Sequence, residues 1–171
     1  VPRRSGERGA IDAGLLPGLL PFGRLVDDED ARESLGWGDL PSEKGLSAAD
    51  ILDQARAGEL GALILGGIDL RDWEDPVGAR EAIESAPFVI SLEVRKSEAT
   101  ELADVVFPVA PPAEKNGTFI NWEGRLRPFG QALASRTLPD REVLEMLAHE
   151  MGTDLGVKTL GELYQEVNPL M

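Results

Sequence analysis

Three short apolar runs, separated by stretches in which apolar residues recur every three to four positions, set the organisation of this chain. Leu60 to Leu65, Phe88 to Leu92 and Val105 to Val109 are the runs. The last two are rich in β-branched residues and have the continuous character of strands covered on both faces of a parallel sheet. Between them the sequence marks helices. Ser47, with Asp50 three residues on, forms a capping-box variant ahead of Ile51, Leu52 and Ala55, and Gly58 closes that segment. Asp75-Pro76 supplies an N-cap followed by proline at the first helical position. Ala79, Ile83 and Ala86 mark the buried side of that second helix, and Pro87 stops it. Ser97 to Leu102 has room for one or two helical turns before Ala103-Asp104 delivers the chain into the third strand. Strands alternating with helices predict parallel pairing through right-handed crossovers, an α/β fold.

The flanks follow other patterns. Residues 1–45 carry many Gly and Pro breaks and no sustained period, the character of an ordered but irregular segment. Its Leu15-Leu16-Pro17-Gly18-Leu19-Leu20-Pro21 stretch is too apolar for a free linker and is expected to pin a loop against the domain. A short acidic helix is expected within Asp27 to Leu35. No initiator methionine or helix-start signal opens the chain, so this segment reads as the continuation of a larger upstream domain. After Pro128, Thr137 and Asp140 are expected to cap a helix with Val143, Leu144, Leu147 and Met151 on its buried stripe and Gly152 at its end. Thr159 and Glu162 begin a last amphipathic helix through Leu160, Leu163, Tyr164 and Val167, expected to end at Asn168-Pro169. The expected division is 1–45, then 46–156 as the α/β unit, then 157–171.

Charge and composition narrow the function. With 31 acidic against 17 basic residues the net charge is -14, which argues against nucleic-acid or anionic-membrane binding through overall electrostatics. There is no cysteine, so disulfides, thiolate metal sites, cysteine-ligated clusters and a cysteine nucleophile are excluded within these 171 residues. The single His149 builds no histidine metal centre and reads as a surface or interface residue. No apolar run approaches the ~20 residues of a membrane span, and no secretory-type start is present. A soluble, cytoplasmic placement is expected.

Chemistry-bearing candidates gather at two places. Gly66-Gly67, directly after the first strand, would let a phosphate approach the backbone; a tight strand-to-helix turn needs the same glycines. The segment Ala113 to Arg125 is richer. Asn116-Gly117 suits a tight turn with positive φ. Beyond it Phe119 and Asn121 alternate with Thr118, Ile120 and Trp122. Thr118, Asn121 and Arg125 offer donors to a phosphate or a heterocycle edge. Equally, Glu123 and Arg125 can satisfy each other and the local backbone. Glu114-Lys115 reads as a solvated pair. No serine lies in a G-x-S-x-G setting, and no carboxylate pair is identifiable as acid and base.

The succession Ala103-Asp104-Val105-Val106-Phe107-Pro108, leading to Glu114-Lys115-Asn116-Gly117-Thr118-Phe119-Ile120-Asn121-Trp122-Glu123-Gly124-Arg125, resembles the molybdopterin oxidoreductase superfamily. There Thr-x-x-Ala-Asp-Val-Val-Leu-Pro precedes Glu-Lys-x-Gly-Thr-x-x-Asn-x-Glu-Gly-Arg; Phe107 stands where leucine is usual. Gly9-Ala10-Ile11-Asp12-Ala13-Gly14-Leu15-Leu16-Pro17 is similar to a second segment of that superfamily, so the resemblance spans roughly Gly9 to Gly156. Within it, the Gly14 to Pro21 and Asn121 to Pro128 stretches look most like the large iron–sulfur subunit of proton-pumping NADH-quinone oxidoreductases (respiratory complex I).

The resemblance implies a Rossmann-like parallel sheet flanked by helices, the carboxyl-terminal part of a molybdopterin oxidoreductase-like domain that has lost its metal cofactor and acts structurally. It implies no cofactor in this chain and iron–sulfur clusters (4Fe–4S and 2Fe–2S) upstream. The implied partners are other hydrophilic subunits of the peripheral arm, at the cytoplasmic face of the membrane without insertion. Gly66, Gly67, Gly117, Thr118, Asn121 and Arg125 would be relics of a cofactor cradle. Active molybdenum enzymes of the superfamily usually carry Asn-Pro after the first of these strands, whereas this chain has Gly66-Gly67-Ile68-Asp69-Leu70. The competing expectation is a fragment of an active pterin guanine dinucleotide oxidoreductase of the formate dehydrogenase type, with Thr118, Asn121 and Arg125 holding the cofactor. A free-standing nucleotide-binding module ranks third.

Overall fold

A computed structural model of the protein describes residues 6–156 and 158–167. Its centre is a three-stranded parallel sheet of β1 (Leu63–Gly66), β2 (Val89–Glu93) and β3 (Val105–Pro108), in the order β1-β2-β3. Leu63 pairs with Val89, and Ile90 with Val105. The helices are α1 (Glu7–Asp12), α2 (Glu29–Leu35), α3 (Ala48–Ala57), α4 (Pro76–Ser85), α5 (Glu98–Leu102), α6 (Asp140–Glu150) and α7 (Leu160–Val167), of which α3, α4, α5 and α6 pack on the sheet. An antiparallel hairpin of β4 (Gly117–Ile120) and β5 (Leu126–Phe129) stands apart from the sheet.

The caps form where short-range chemistry dictates them. Ser47 and Asp50 close a reciprocal capping box on α3, and the Asp75 carboxylate accepts the Gly78 amide ahead of Pro76 in α4. Ser97 accepts the Thr100 amide at the start of α5. Thr159 and Glu162 exchange bonds at the start of α7. The expected end of α7 at Asn168-Pro169 lies outside the described residues.

Packing differs from the expectation for the strands. β2 is buried on both faces, but Ile64 of β1 and Val106 of β3 are 50% and 41% exposed. The reason is that each helical layer covers two strands of the three. Leu63, Leu65 and Val89 pack with Leu52 of α3 and Ala79, Ala82 and Ile83 of α4. On the opposite face Ile90, Leu92 and partly buried Phe107 pack with Val143 and Leu147 of α6. β1 also begins at Leu63 rather than Leu60.

Helix α6 departs from its expected cap and stripe. Asp140 is its first residue rather than a cap box partner, because its carboxylate binds Lys115 Nζ at 2.6 Å. Lys115 is therefore paired, not merely solvated, and neighbouring Glu114 accepts the Ser135 hydroxyl. Leu144 and Met151 are exposed, while Glu145 and Ala148 are buried. His149 is exposed.

The amino-terminal stretch holds more structure than its Gly and Pro breaks suggest. α1 forms without a side-chain cap, held by the Arg8–Asp12 ion pair one turn apart. α2, capped by Asp28, carries Ala31 and Leu35 into a small core with Leu20, Val26 and Trp37. Of the leucines expected to pin this loop only Leu20 is buried; Leu15 is 77% exposed. Arg32 is buried and donates to the carbonyls of Val26, Trp37, Gly38 and Leu40. One guanidinium fork thus gathers a loop that has no strand or helix ladder of its own.

Ser91, at the middle of β2, has a fully buried hydroxyl without a hydrogen-bond partner. Ser91→Ala removes that uncompensated dipole, so it is expected to raise the unfolding free energy by about 1 kcal/mol. Urea unfolding of the two proteins checks this, and a destabilised alanine variant would show that the hydroxyl has a partner in solution.

Candidate functional site

Parallel α/β sheets offer their ligand crevice outside the carboxyl ends of the strands. Here that crevice lies beyond β1 and β2, a cleft of about 1080 Å³ whose walls include Gly67, Asp69, Arg71, Glu93, Arg95 and Ser97. The chain turns sharply out of β1 at Gly67, whose φ of 63° lies in the left-handed region that favours glycine. Such a turn presents backbone amides to an anion. In this protein both amides of the turn have acceptors: Gly67 N–H donates to Leu92 O at 3.2 Å, and Ile68 N–H donates to Glu93 Oε1 at 3.0 Å. The Glu93 carboxylate occupies the position where an anionic ligand would compete.

Charge in the crevice points the same way. Arg71 is gripped by Asp69 at 2.7 Å, and the hydrogen bond and charge of that aspartate hold its guanidinium above the ordinary value. Glu93 lies above its ordinary carboxyl value because burial outweighs the opposing bond from Ile68 and the attraction of Arg95. The dinucleotide pyrophosphate implied by the superfamily resemblance needs free donors at this turn. The turn offers a carboxylate with its Gly67 and Ile68 amides already engaged, so these two amides do not fit that group.

Of the six residues singled out in the sequence, Gly67 lines the crevice and Gly66 ends the adjoining strand. Gly117, Thr118, Asn121 and Arg125 belong to the hairpin and are not among the residues lining the crevice. Asn116-Gly117 is not the positive-φ turn expected: Gly117 is a strand residue paired with Phe129. Its need for glycine is steric, since a Cβ there would meet the Phe129 ring at 2.6 Å. The turn comes later, at Asn121 to Gly124. Asn121 Oδ1 accepts the amides of Glu123 and Arg125 at 3.1 and 2.9 Å, and Arg125 lies 3.4 Å from the Glu123 carboxylate. The hairpin residues thus satisfy one another and the local backbone.

The hairpin's inner side meets the two ends of the described chain. Gly9 of α1 sits against Ile120, where a Cβ would lie 3.7 Å from its amide nitrogen. The Thr118 hydroxyl bonds that of Tyr164 on α7. Between these elements lies an apolar pocket of about 310 Å³, lined by Ala13, Phe22, Ile120, Leu126, Leu163 and Val167. Sequence reasoning missed Glu93, Arg32 and the Thr118–Tyr164 contact. The signal for Glu93 was present: a carboxylate closing an otherwise apolar strand, on the side where the preceding strand turns at glycine.

Glu93 gives a pH test. Because its folded-state value is raised, its contribution to stability is fully present below the ordinary carboxyl value of 4.5 and is lost as pH rises through the folded value. Glu93→Gln retains an acceptor for Ile68 N–H and removes the titration. The variant is expected to lose this decline in stability on the alkaline side of pH 4.5. Thermal melts across that range read the difference, and parallel curves for the two proteins would contradict it.

The family model described as molybdopterin oxidoreductase matches residues 7–139. The chain is 49% identical, over 99% of its length, to the NADH-quinone oxidoreductase subunit designated G in Streptomyces coelicolor, and 48% identical over 99% to the protein of the same description from Mycobacterium bovis. It is 31% identical over 96% to F420-dependent formate dehydrogenase 1 subunit alpha of Methanococcus maripaludis. The chain spans 21%, 22% and 25% of these relatives' own lengths. On a match covering most of its residues, the chain belongs to the molybdopterin oxidoreductase family.

Proposed function

We propose that this domain is a structural, non-catalytic portion of a peripheral-arm subunit of an NADH-quinone oxidoreductase. In that assembly electrons pass from NADH to quinone through iron–sulfur clusters held outside these 171 residues. Identity of nearly one half along 99% of the chain to two subunits of that description supports the assignment. One observation carries the non-catalytic half of it: the glycine turn at the crevice spends its amides on Leu92 and on the protein's own Glu93 carboxylate. Gly66, Gly67, Gly117, Thr118, Asn121 and Arg125 are then remnants of a cofactor cradle, retained because they set turns and pack a hairpin.

The partners in this reading are other hydrophilic subunits, and attachment to the cytoplasmic face of the membrane runs through them. Among the described residues no helix is long and apolar enough to cross a membrane. A second reading, part of an active pterin oxidoreductase of the formate dehydrogenase type, is favoured by the 31% identity to the Methanococcus protein. Elemental analysis of the intact parent protein separates the two. Iron without molybdenum or tungsten is the expected result; either of the heavier metals at stoichiometric level would overturn the structural reading.

A further inference from the structure

Asn116-Gly117, at the open end of the hairpin, has a chemistry that neither the crevice nor the sheet uses. Asparagine followed by glycine is the dipeptide most open to attack by the next backbone nitrogen on the side-chain carboxamide, because glycine puts no side chain in the way. Asn116 is exposed, and its Oδ1 accepts the Gln131 amide at 2.7 Å. The Asn121 N–H to Arg125 O bond marks 121 and 125 as a hydrogen-bonded pair, and antiparallel alternation makes Gly117 and Phe129 another. Pro128, which has no N–H, falls at the intervening non-bonded position opposite Thr118. The next bonded pair would set Gln131 against the Lys115 carbonyl. The Asn116 side chain takes that bond instead and ends the ladder, so its carboxamide is held at the strand terminus. Gly117 is kept a glycine by the Phe129 ring, which fills the place of a Cβ. The packing that seats the ring thus leaves the neighbouring nitrogen unhindered, and one hydrogen-bonded pair restrains it. That pair is the last of a two-stranded sheet. Such a hairpin is marginally stable by itself, and terminal pairs open far more often than a domain unfolds.

We propose that Asn116 is a self-modifying site, converted to aspartate and isoaspartate at a rate gated by opening of the Gly117–Phe129 pair. When the pair is open, Gly117 N attacks Asn116 Cγ, the Cγ–Nδ2 bond breaks, and ammonia leaves with the amide proton. The five-membered imide so formed takes up water. Cleavage of its Cγ–N bond gives aspartate. Cleavage at the main-chain carbonyl gives isoaspartate, whose backbone runs through the former side chain and is longer by one carbon. No oxidant, reductant or cofactor takes part. The added carbon falls between two anchors, Lys115 on the Asp140 carboxylate of α6 and Gly117 under the Phe129 ring. Both cannot keep their places once it is inserted, so isoaspartate shifts the hairpin against α6. The inference stands whether or not the domain is catalytic.

The test incubates the full-length protein at neutral pH, folded and in urea, and digests samples with pepsin in acid, where the imide forms slowly. Mass spectrometry follows aspartate and isoaspartate at position 116. The expected folded-state rate is about tenfold below the rate in urea, as opening of one terminal pair requires. A ratio of about a thousandfold or more would show that only global unfolding frees the nitrogen, or that another segment of the same polypeptide covers Asn116, and would overturn the proposal. Equal rates in the two states would overturn the gate. Phe129→Ala removes the ring over Gly117 and should raise the folded-state rate about threefold, the scale of one cross-strand contact, with the rate in urea unchanged. An unaltered folded-state rate in that variant counts against the gate. Should the variant fail to fold, hydrogen exchange of the Gly117 amide in the unaltered protein reads the same opening. Its protection should equal the ratio of the two rates, and protection at the level of global unfolding would overturn the proposal.

Discussion

The central strand β2 is the constraint from which the remaining architecture follows. It is the strand buried on both faces, and both of its ends are tied by carboxylates. At the entry Val89 N–H donates to Asp104 Oδ2 at 2.7 Å while Asp104 N–H returns a bond to Val89 O at 2.9 Å. At the exit Glu93 accepts Ile68 N–H from the turn after β1, and its carbonyl receives Val109 N–H from beyond β3. The strand is thereby fixed against both neighbours, and α3, α4 and α6 pack on surfaces whose register is already set. Asp104, part of the stretch through which the chain resembles its family, has a plain mechanical role here.

Two segments that stand far apart in the sequence turn out to be one structural unit. The Gly9 to Pro17 stretch begins in α1, and α1 lies on β4, with Gly9 against Ile120 and the Arg8 guanidinium near Gly124. α7 closes the same unit through Tyr164 and Thr118, and reaches back to Trp37, whose indole N–H donates to Glu166 at 2.6 Å. The hairpin is therefore held by the two flanking regions more than by the sheet that precedes it.

What the sequence made legible was what closes within one helical turn. The caps at Ser47 and Asp75 involve partners three residues away, and each lies where its helix starts. The α/β alternation was equally plain. What stayed hidden depended on distant partners. Asp140 looked like a capping-box residue until Lys115, 25 positions earlier, took its carboxylate. Glu93 stands in plain view as the acid that closes its strand, but the amide it binds belongs to Ile68, 25 positions earlier, and only the parallel pairing of β1 with β2 brings the two together. Arg32 sits in a stretch without periodicity, where no local pattern shows that four carbonyls will converge on it. Strand burial was overestimated because an apolar run cannot say how many helices will be available to cover it.

The glycine at 117 gains a meaning from the ring above it. Phe129 rests where a side chain would be, so the hairpin has a single alignment in which that aromatic group fits. Sliding β5 by one residue would seat the ring over Asn116 or Thr118 and turn the side chains of β5 to the opposite face of the hairpin. An atom that is missing, rather than a bond that is made, serves as the key that selects one pairing of the strands.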